Sequence, residues 1–188
     1  EVNRRLAPFG KKIGPAPASI NACKIGGIAA NNASGMCCGT AQNSCRTVAG
    51  MRVMFADGTV LDTEDAASIE AFAKTNTVLL NELARMGRDT RNNTKLAERI
   101  RHKFKIKNTT GYSLNALVDY EDPIDILLHL MIGSEGTLGF ISRITYNTVI
   151  EDPFKASALV SFPDIRSAWD AVIRLKPQPR SAVERTDR

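Results

Sequence analysis

The sequence predicts an α+β fold, in which a sheet is flanked by helices. The first indication is a hairpin: residues 47–56 and 59–63 are apolar runs separated by Asp57-Gly58. An Asp-Gly pair between two such runs is the strongest short hairpin signal that a sequence offers. The second indication is a change of period from residue 65 onwards. Apolar residues there recur every three or four positions, as in amphipathic helices.

Length and composition limit the classes of protein to consider. The chain has 188 residues, of which 43% are hydrophobic and 24% charged, which is typical of a soluble globular protein with one domain or slightly more. No apolar run approaches the roughly 18 residues that a membrane span needs, and no signal peptide is visible. The chain begins without Met and ends abruptly, so we expect it to be a piece of a longer polypeptide.

The four cysteines are Cys23, Cys37, Cys38 and Cys45. No pair of them forms a CxxC motif and both histidines lie far away in sequence, so we expect no metal site. A disulfide between the adjacent Cys37 and Cys38 would be strained, which favours reduced thiols and a cytoplasmic protein.

A glycine-rich run, IGGIAANNASGMCCGT, occupies residues 25–40. Its short side chains bury little apolar surface, so we expect neither a core strand nor a core helix. Glycine lets the backbone approach a ligand closely, and consecutive peptide N–H groups can form a concave donor site. Asn31, Asn32 and Ser34 add donors and acceptors. The functional interpretation is a backbone cradle for an anionic, flat cofactor; the alternative is an ordinary loop rich in glycine.

The elements on either side of the hairpin follow from local signals. Residues 1–24 are punctuated by proline and glycine and are predicted to be irregular. The first helix is predicted to be capped by Thr63 or Asp65 and to end at Gly87. The second begins near Asn93. Its apolar face is predicted to comprise Leu96, Ile100 and Phe104.

A loop at residues 107–114 precedes a third helix. This helix opens at Asp122-Pro123, because Asp is a good N-cap and Pro suits the first turn, and it ends at Gly133. We expect His129 at a surface or half-buried position on it, without a catalytic role. Its apolar face is predicted to comprise Ile124, Leu127, Leu128 and Met131.

The last quarter of the chain opens on a second glycine-dense turn at residues 133–141, and the segment FISRITYNTV that begins within it is a predicted strand. Residues 151–153 are a predicted linker and residues 155–162 a predicted strand. Asp164 is the predicted cap of a helix, and residues 176–180 form a Pro-rich break. Strand, helix and incipient strand resemble the opening half of a separate βαβ unit.

The net charge of +5 is concentrated in one segment, since residues 82–107 hold nine Lys or Arg against three Asp or Glu. One hypothesis is a nucleic-acid binder that uses this basic face. No nucleic-acid motif accompanies it and aromatic residues are only 6%, so we predict no nucleic-acid partner. A solvated face, or a surface that contacts an anionic partner or another domain, fits the pattern better.

Three motifs in this order resemble a known family: IGPAPASINACKIGGIAANNASGMCCGT, KNTTGYSLNALVDYEDP and MIGSEGTLGFIS. They are similar to the FAD-linked oxidases of the vanillyl-alcohol-oxidase type, which carry a PCMH-type FAD-binding domain. The nearest group is the bacterial dehydrogenases for D-lactate, glycolate and D-2-hydroxyglutarate. The resemblance implies a mixed, mostly antiparallel sheet flanked by helices, the second lobe of the FAD-binding domain, at residues 1–152. Residues 153–188 would begin an α/β cap domain for the substrate.

The resemblance also implies the cofactor and its contacts. FAD would be bound non-covalently, because no His or Cys stands where the covalent subfamilies link the flavin. Glu135 would accept hydrogen bonds from the adenosine half; the alternative is a turn carboxylate that caps nearby N–H groups. The implied contacts along the pyrophosphate, ribityl chain and flavin are Ser19, Cys23, Gly26, Gly27, Asn31, Asn32, Gly35 and Gly39. Those at the adenosine half are Glu135, Gly139 and Ile141.

The implied reaction is oxidation of a D-2-hydroxy acid, with hydride passing to flavin N5. Lys107 and Tyr112 are weak catalytic candidates; the alternatives are the last charge of the basic helix for Lys107 and a core aromatic for Tyr112. An iron–sulfur cluster is expected only in the parent protein, not in this chain. The implied localisation is cytoplasmic or peripheral at the inner membrane, and a homo-oligomer is compatible with the pattern.

This chain departs from the family pattern in two respects. The phosphate loop that precedes this lobe in relatives is absent, and Ala16 stands where many relatives have Asp. The alternative to an enzyme is therefore a non-catalytic flavin-domain fragment or assembly module.

Overall fold

The computed structural model describes residues 1–35, 37–175, 177 and 182–183, and this part of the chain is an α+β structure, as predicted. The N-terminal elements are α1 (Val2–Leu6), a 3-10 turn (Ala7–Phe9), β1 (Lys11–Ile13), α2 (Ile25–Asn31) and α3 (Ser44–Thr47). The middle elements are β2 (Val48–Met54), β3 (Val60–Asp62), α4 (Ala66–Thr75), α5 (Thr77–Asn92) and α6 (Thr94–Lys103). The remaining elements are α7 (Ala116–Asp119), α8 (Pro123–Met131), β4 (Phe140–Tyr146), β5 (Thr148–Ile150) and α9 (Ile165–Leu175).

The main sheet has the strand order β3-β2-β4, and β1 pairs with β5 in a separate ladder. Every ladder in the described residues is antiparallel, so the mixed sheet implied by the resemblance is not seen there. The predicted hairpin is confirmed. Phe55 N–H donates to Thr59 O at 2.8 Å, and Gly58 adopts φ +84°, which glycine reaches without strain. The loop is therefore a three-residue turn of the kind that ends in a left-handed residue.

The core lies on one face of the main sheet, because Leu61 of β3 is directly opposite Val53 of β2 and Met51 lies two residues from Val53. Met51 and Val53 of β2 pack with Met131, Ile132 and Ala29 in one buried cluster. A second cluster joins β3 to the faces of α4, α5 and α8, and its members include Leu61, Phe72, Leu83 and Ile126. Helices α2, α4 and α8 therefore pack against this face of the sheet, and burial of these side chains supplies most of the driving force for the fold.

The glycine-rich run corrects one prediction, because its first half is a helix, α2, with Ile28 and Ala29 buried. We expected no core helix here because the side chains are small, yet these small side chains allow α2 to pack closely in the core. A Cβ added at Gly26 would lie 3.6 Å from the Ile141 carbonyl oxygen, so α2 rests directly on β4. Close approach of backbone compensates for the small apolar area of each side chain.

The first predicted helix is wrong in its bounds: it is two helices, divided at Asn76. The side chains of Thr75, Asn76 and Thr77 donate to carbonyls of the preceding turn, which competes with continuation of the helix. Asp65 caps α4, as predicted. Gly87 does not end a helix but lies within α5, where an added Cβ would come 3.1 Å from Ile126 Cδ1.

The next two helices begin where predicted, with Asn93 capping α6 and Asp122 capping α8. The inner face of α6 differs from the prediction, since Ala97 and Ile100 are buried and Leu96 is exposed. His129 is buried rather than at the surface, because the residues around it on α8 face the core.

The basic segment is less open than its charge suggests. Arg85 pairs with Glu82 at 2.6 Å and with Asp89 at 3.2 Å. Arg91 points inward and donates to the Tyr120 carbonyl oxygen at 2.6 Å. Most of the other exposed cations of the segment lie at the C-terminal end of α6 or just beyond it.

Beyond β5, the structure differs from the predicted strand at residues 155–162, which pair with no other strand in the described part of the chain. A strand without a neighbouring strand leaves its backbone N–H and C=O groups to solvent. It therefore lacks the ladder of hydrogen bonds that would stabilise the extended conformation. Asp164 does cap α9, as predicted. The Pro-rich break at residues 176–180 lies largely outside the described residues. Among the described helices, none is long and apolar enough to cross a membrane.

Candidate functional site

The three motifs that carry the family resemblance meet in space. The turn after α8 docks on the C-terminal end of α2, because Gly133 N–H donates to Ala29 O at 3.2 Å and Glu135 N–H to Ala30 O at 2.9 Å. The loop at residues 107–114 lies on the other side of this turn: a Cβ added at Gly133 would come 2.8 Å from the Gly111 carbonyl oxygen. Only backbone without a side chain fits that contact.

A group of polar side chains occupies the meeting point. Asn31 Nδ2 donates to Glu135 Oε1 at 2.5 Å. Asn32 ends α2 in the left-handed conformation, with φ +53°, and its Nδ2 donates to the Asn108 carbonyl oxygen at 3.1 Å. Its Oδ1 accepts from the Cys45 N–H at 3.4 Å. The predicted contacts Asn31, Asn32 and Glu135 are thus brought together, and the Glu135 carboxylate binds an asparagine amide rather than capping its own turn.

Two buried serine hydroxyls in the same motifs have no hydrogen-bond partner among the described residues. Ser34 follows α2 and is 6% exposed; Ser134 lies in the turn after α8 and is 2% exposed. An unpaired buried hydroxyl is costly, so each of these two atoms has a hydrogen-bonding capacity that a ligand could fill. Ser34 was predicted from the sequence only as a source of hydrogen-bond donors and acceptors, and Ser134 was missed, although both stand beside glycines in the quoted motifs.

The candidate glycines divide into two kinds. Gly27 is exposed and a Cβ there would meet nothing within 4 Å, so its bare backbone faces open space. Gly35 is different, since an added Cβ would overlap the carbonyl oxygen of Ala16. Gly139 is also closely packed, because an added Cβ would lie 2.9 Å from the Met54 carbonyl oxygen. Packing within the chain therefore explains Gly35 and Gly139, whereas Gly27 remains available to a ligand.

The other predicted contacts lie away from this group. Ser19 and Cys23 form a turn before α2, at the opposite end of a seven-residue helix that spans about 10 Å. Gly39 is exposed, with φ +49°, in the loop that follows. Gly26 and Ile141 are neighbours in the contact between α2 and β4.

The two weak catalytic candidates both lie at the surface. Tyr112 is 42% exposed, and its hydroxyl shares a hydrogen bond of 2.8 Å with Thr137 Oγ1, so it is not a core aromatic. Lys107 is exposed and lies beyond the end of α6 at Lys103. Tyr112 thus joins the loop at residues 107–114 to the turn that carries Glu135.

Burial favours the neutral forms of two titratable groups in the neighbouring core, Cys45 and Tyr146. Burial raises the pKa of the Cys45 thiol, and it raises the pKa of Tyr146 to about 12. The hydroxyls of Tyr146 and Ser44 are 2.9 Å apart. Neutral amides, hydroxyls and one carboxylate make this a set of residues suited to holding a polar ligand. Within the described residues, no three His, Cys, Asp or Glu side chains are grouped as a metal site would need.

Comparison with known proteins gives two matches. Residues 1–64 match a family model described as "FAD binding domain". The chain is also similar to a D-2-hydroxyglutarate dehydrogenase from Haemophilus influenzae, with 23% identity over 188 residues, covering 94% of this chain and 17% of the relative. The chain therefore spans about a sixth of the length of that relative. The family model covers the first of the three motifs and the relative nearly the whole chain, and both agree with the resemblance, which is confirmed.

Proposed function

We propose that this chain is part of an FAD-binding domain of the FAD-linked oxidoreductases and that it holds FAD where α2, the loop at residues 107–114 and the turn after α8 meet. The single observation that carries the proposal is the convergence of three sequence-distant motifs on one polar group. Asn31 and Glu135, which bond to each other, are 104 positions apart in the chain. Packing of the hydrophobic core alone would not require a polar contact there.

The residues present fit such a group. Asn31, Asn32 and Glu135 offer amides and a carboxylate, and the unpaired hydroxyls of Ser34 and Ser134 offer further hydrogen bonds. The open backbone at Gly27 lets a flat ring approach. We propose non-covalent binding, with Glu135 accepting from the adenosine half and the α2 segment lying along the rest of the cofactor. FAD, when bound, supplies the hydride acceptor that no amino-acid side chain can provide.

The substrate we propose is a D-2-hydroxy acid of the D-lactate, glycolate or D-2-hydroxyglutarate kind. The support is the motif resemblance together with the distant relative, whose printed name is D-2-hydroxyglutarate dehydrogenase. Lys107 and Tyr112 remain the proposed catalytic candidates, since both are exposed beside the polar group. A lysine ammonium there would attract the substrate carboxylate.

We further propose that this chain is part of a longer protein, since it spans only 17% of the length of its relative. An iron–sulfur cluster, a homo-oligomer and a cytoplasmic or membrane-peripheral location are proposed for the parent. The boundary between the FAD-binding lobe and the cap domain is proposed at residues 152–153, just after β5, the last strand in the described residues.

The test is cofactor retention. The purified chain is mixed with FAD, free cofactor is removed, and the visible absorption spectrum is recorded; we expect a retained and shifted flavin band. Glu135→Gln keeps the shape of the side chain and removes its charge. We expect it to weaken FAD binding about five- to tenfold, since hydrogen bonds to charged groups contribute roughly 1 kcal/mol more than neutral ones.

The matched control is Glu70→Gln, an exposed glutamate on α4 that pairs with Lys74 and does not belong to the polar group. It should retain FAD like the unmodified chain. If both variants bind FAD equally well, the assigned role of Glu135 is wrong. If the folded chain retains no flavin at all, the alternative of a non-catalytic fragment or assembly module applies to this piece.

A further inference from the structure

The turn after α8 holds Glu135 in a backbone conformation that costs free energy. Glu135 adopts φ +53° and Gly136 φ +79°, both in the left-handed region. Glycine reaches this region without strain, whereas the Cβ of a residue such as glutamate crowds its own backbone there. In the described part of the chain, Asn32 and Glu135 are the two residues with a side chain and a positive φ, and both belong to the polar group. Residues 135–137 are exposed, so contacts other than burial keep the turn in this conformation.

Two hydroxyl groups connect this turn to the loop at residues 107–114. Thr137 Oγ1 lies 2.5 Å from the Ser134 carbonyl oxygen, and the Tyr112 hydroxyl lies 2.8 Å from Thr137 Oγ1. A carbonyl oxygen can only accept a hydrogen bond, so the single hydroxyl proton of Thr137 is donated to Ser134. The Thr137 oxygen is therefore the acceptor in its bond with Tyr112, and the Tyr112 hydroxyl is the donor.

The direction of this bond limits the chemistry of Tyr112. Its hydroxyl has one proton, and Thr137 accepts it, so the oxygen offers a ligand only its lone pairs. While the bond persists, Tyr112 has no proton to donate to a substrate. A role in holding the turn fits this geometry better than a role as an acid, and Lys107 then remains the catalytic candidate.

The turn is held from both sides. At its start, the Glu135 N–H donates to the Ala30 carbonyl oxygen of α2 at 2.9 Å. At its end, the Thr137 N–H donates to the Ser134 carbonyl oxygen at 3.0 Å, and Tyr112 binds the Thr137 side chain. A strained residue persists where the surrounding contacts fix it, and these bonds enclose Glu135.

We infer that Tyr112 is a positioning residue, which acts through Thr137 to keep Glu135 in its left-handed conformation for binding of the cofactor. The inference rests on the proposed function, because the ligand proposed for Glu135 is the adenosine half of FAD. In this role Tyr112 needs no contact with cofactor or substrate. Without the Tyr112 hydroxyl, a smaller fraction of the chain has Glu135 in position, and the affinity for FAD falls with that fraction.

The first measurement is the affinity for FAD of variants at the two hydroxyls. Tyr112→Phe and Thr137→Val keep the shape of the side chain and remove its hydroxyl, and we expect each to weaken binding about fivefold. Thr137→Ser keeps the hydroxyl and should bind within about twofold of the unmodified chain. The double variant Tyr112→Phe/Thr137→Val should bind as Thr137→Val does, because the two hydroxyls act as one chain. Losses that add in the double variant, or no recovery in Thr137→Ser, would overturn the inference.

The second measurement uses the FAD-free chain and thus separates this inference from the proposed function. The bonded N–H groups of Glu135 and Thr137 report on opening of the turn through amide hydrogen exchange. We expect Tyr112→Phe to speed exchange at both amides about fivefold and to leave the urea midpoint of unfolding unchanged. Faster exchange in a chain that retains no flavin would support the positioning role and overturn the proposed function. Unchanged exchange would overturn the positioning role, even in a chain that binds FAD.

The matched control is Thr77→Val on α5. Thr77 is exposed, and its hydroxyl donates to the Ala73 carbonyl oxygen at 2.9 Å, so the variant removes the same kind of bond outside the three motifs. It should leave both the affinity for FAD and the exchange at Glu135 and Thr137 as they are. If the control loses as much as Thr137→Val, the effect is a general one on the fold and the inference is wrong.

Discussion

His129 shows at the scale of one residue how the environment sets the protonation state. Its ring stacks on Tyr120 with centroids 3.8 Å apart, and its Nδ1 lies 2.7 Å from the Asp125 carbonyl oxygen. Burial lowers the pKa of His129 from its ordinary value of 6.5, although the Asp125 contacts oppose the shift. The positive charge of Arg46 lowers it further and Asp119 raises it. The imidazole is therefore neutral at pH 7 and serves the core.

The burial of His129 makes the stability of the folded chain depend on pH. Because the pKa of His129 is lower in the folded chain than in the unfolded one, the unfolded chain binds more protons as the pH falls below about 6.5. The stabilisation that the neutral ring gives the folded chain is complete above that pH. It is lost as the pH falls towards the lower pKa that His129 has in the folded state. We expect the free energy of unfolding, measured with urea, to fall between pH 7.5 and 5.5. His129→Gln should reduce this dependence.

The control is His102→Gln, which changes an exposed histidine on α6. It should leave the pH dependence of unfolding as it is. If His129→Gln shows the full dependence of the unmodified chain, another group is responsible and the neutral state of His129 does not contribute. The comparison uses the slope with pH, so a general loss of stability from altered packing against Tyr120 does not affect it.

Residues of the candidate site differ in how far the sequence could reveal them. Asn31, Asn32 and Glu135 were predicted through the motifs in which they stand, and the structure brings them together. Ser134 and Asn108 were missed, because a serine or asparagine in a polar turn has no pattern of its own. What distinguishes Ser134 is burial without a partner, and a sequence does not contain that information.

At the scale of elements, two helices start with the same chemistry and differ in what they pack against. Asp122 accepts from the N–H groups of Ile124 and Asp125 at the start of α8. Asp164 accepts from the Ser167 N–H at the start of α9. Helix α8 places five residues in the core, whereas α9 has no buried residue. The sequence predicts both caps equally well but cannot rank their importance.

We therefore expect different results from the same substitution at the two caps. Asp122→Ala should lower the free energy of unfolding by about 1 kcal/mol, since a lost N-cap leaves backbone donors unpaired in a helix that the core requires. Asp164→Ala should leave the free energy of unfolding unchanged. Urea unfolding measures the first effect, and amide hydrogen exchange within residues 165–175 measures local loss of α9.

A fall in global stability for Asp164→Ala as large as that for Asp122→Ala would contradict this account. It would mean that α9 is coupled to the core, contrary to its lack of buried residues. The internal control is the exchange of amides in β2, which should respond to Asp122→Ala alone.

Helix boundaries were the features that the sequence predicted least well. The apolar period continues through Asn76, so the sequence predicted one helix where the structure has two. The side chains of Thr75, Asn76 and Thr77 donate hydrogen bonds to carbonyls of the preceding turn, and these bonds decide where the helix is divided. Gly87 appeared to be a helix end because glycine often is one, yet here it provides room for the side chain of Ile126.

At the scale of the whole molecule, the chain has a core and a segment outside it. Both larger buried clusters lie within residues 29–132, and none of residues 152–175 is buried. A short apolar stretch of that segment is strongly exposed, with Phe154 at 91% and Leu159 at 92%. Such exposure does not stabilise the fold of the preceding residues.

Removing residues 153–188 should therefore leave the remaining chain folded. We expect its melting temperature to stay within about 2 °C of the full chain, corresponding to less than about 1 kcal/mol. The Lys155–Glu151 ion pair is lost, but it lies at the surface and contributes little, and Glu151 still pairs with Lys12. Differential scanning calorimetry measures the change.

A drop of more than about 5 °C, which is over about 1 kcal/mol at this chain length, would contradict the proposed boundary at residues 152–153. FAD retention by the shortened chain is the second measurement. It should equal that of the full chain, because no contact proposed for the cofactor lies beyond Ile141.

The sequence by itself determined the fold class, the hairpin, three helix caps and the motifs that resemble those of an FAD-binding domain. These depend on local rules: turn residues, capping side chains and the period of apolar residues act over a few positions. Only the tertiary structure decided that α2 is a core helix, that Gly27 is open and Gly35 is packed, and that Asn31 meets Glu135. Those features depend on contacts between segments that are distant in the sequence. The residues around each segment in the chain do not specify which distant segment it contacts.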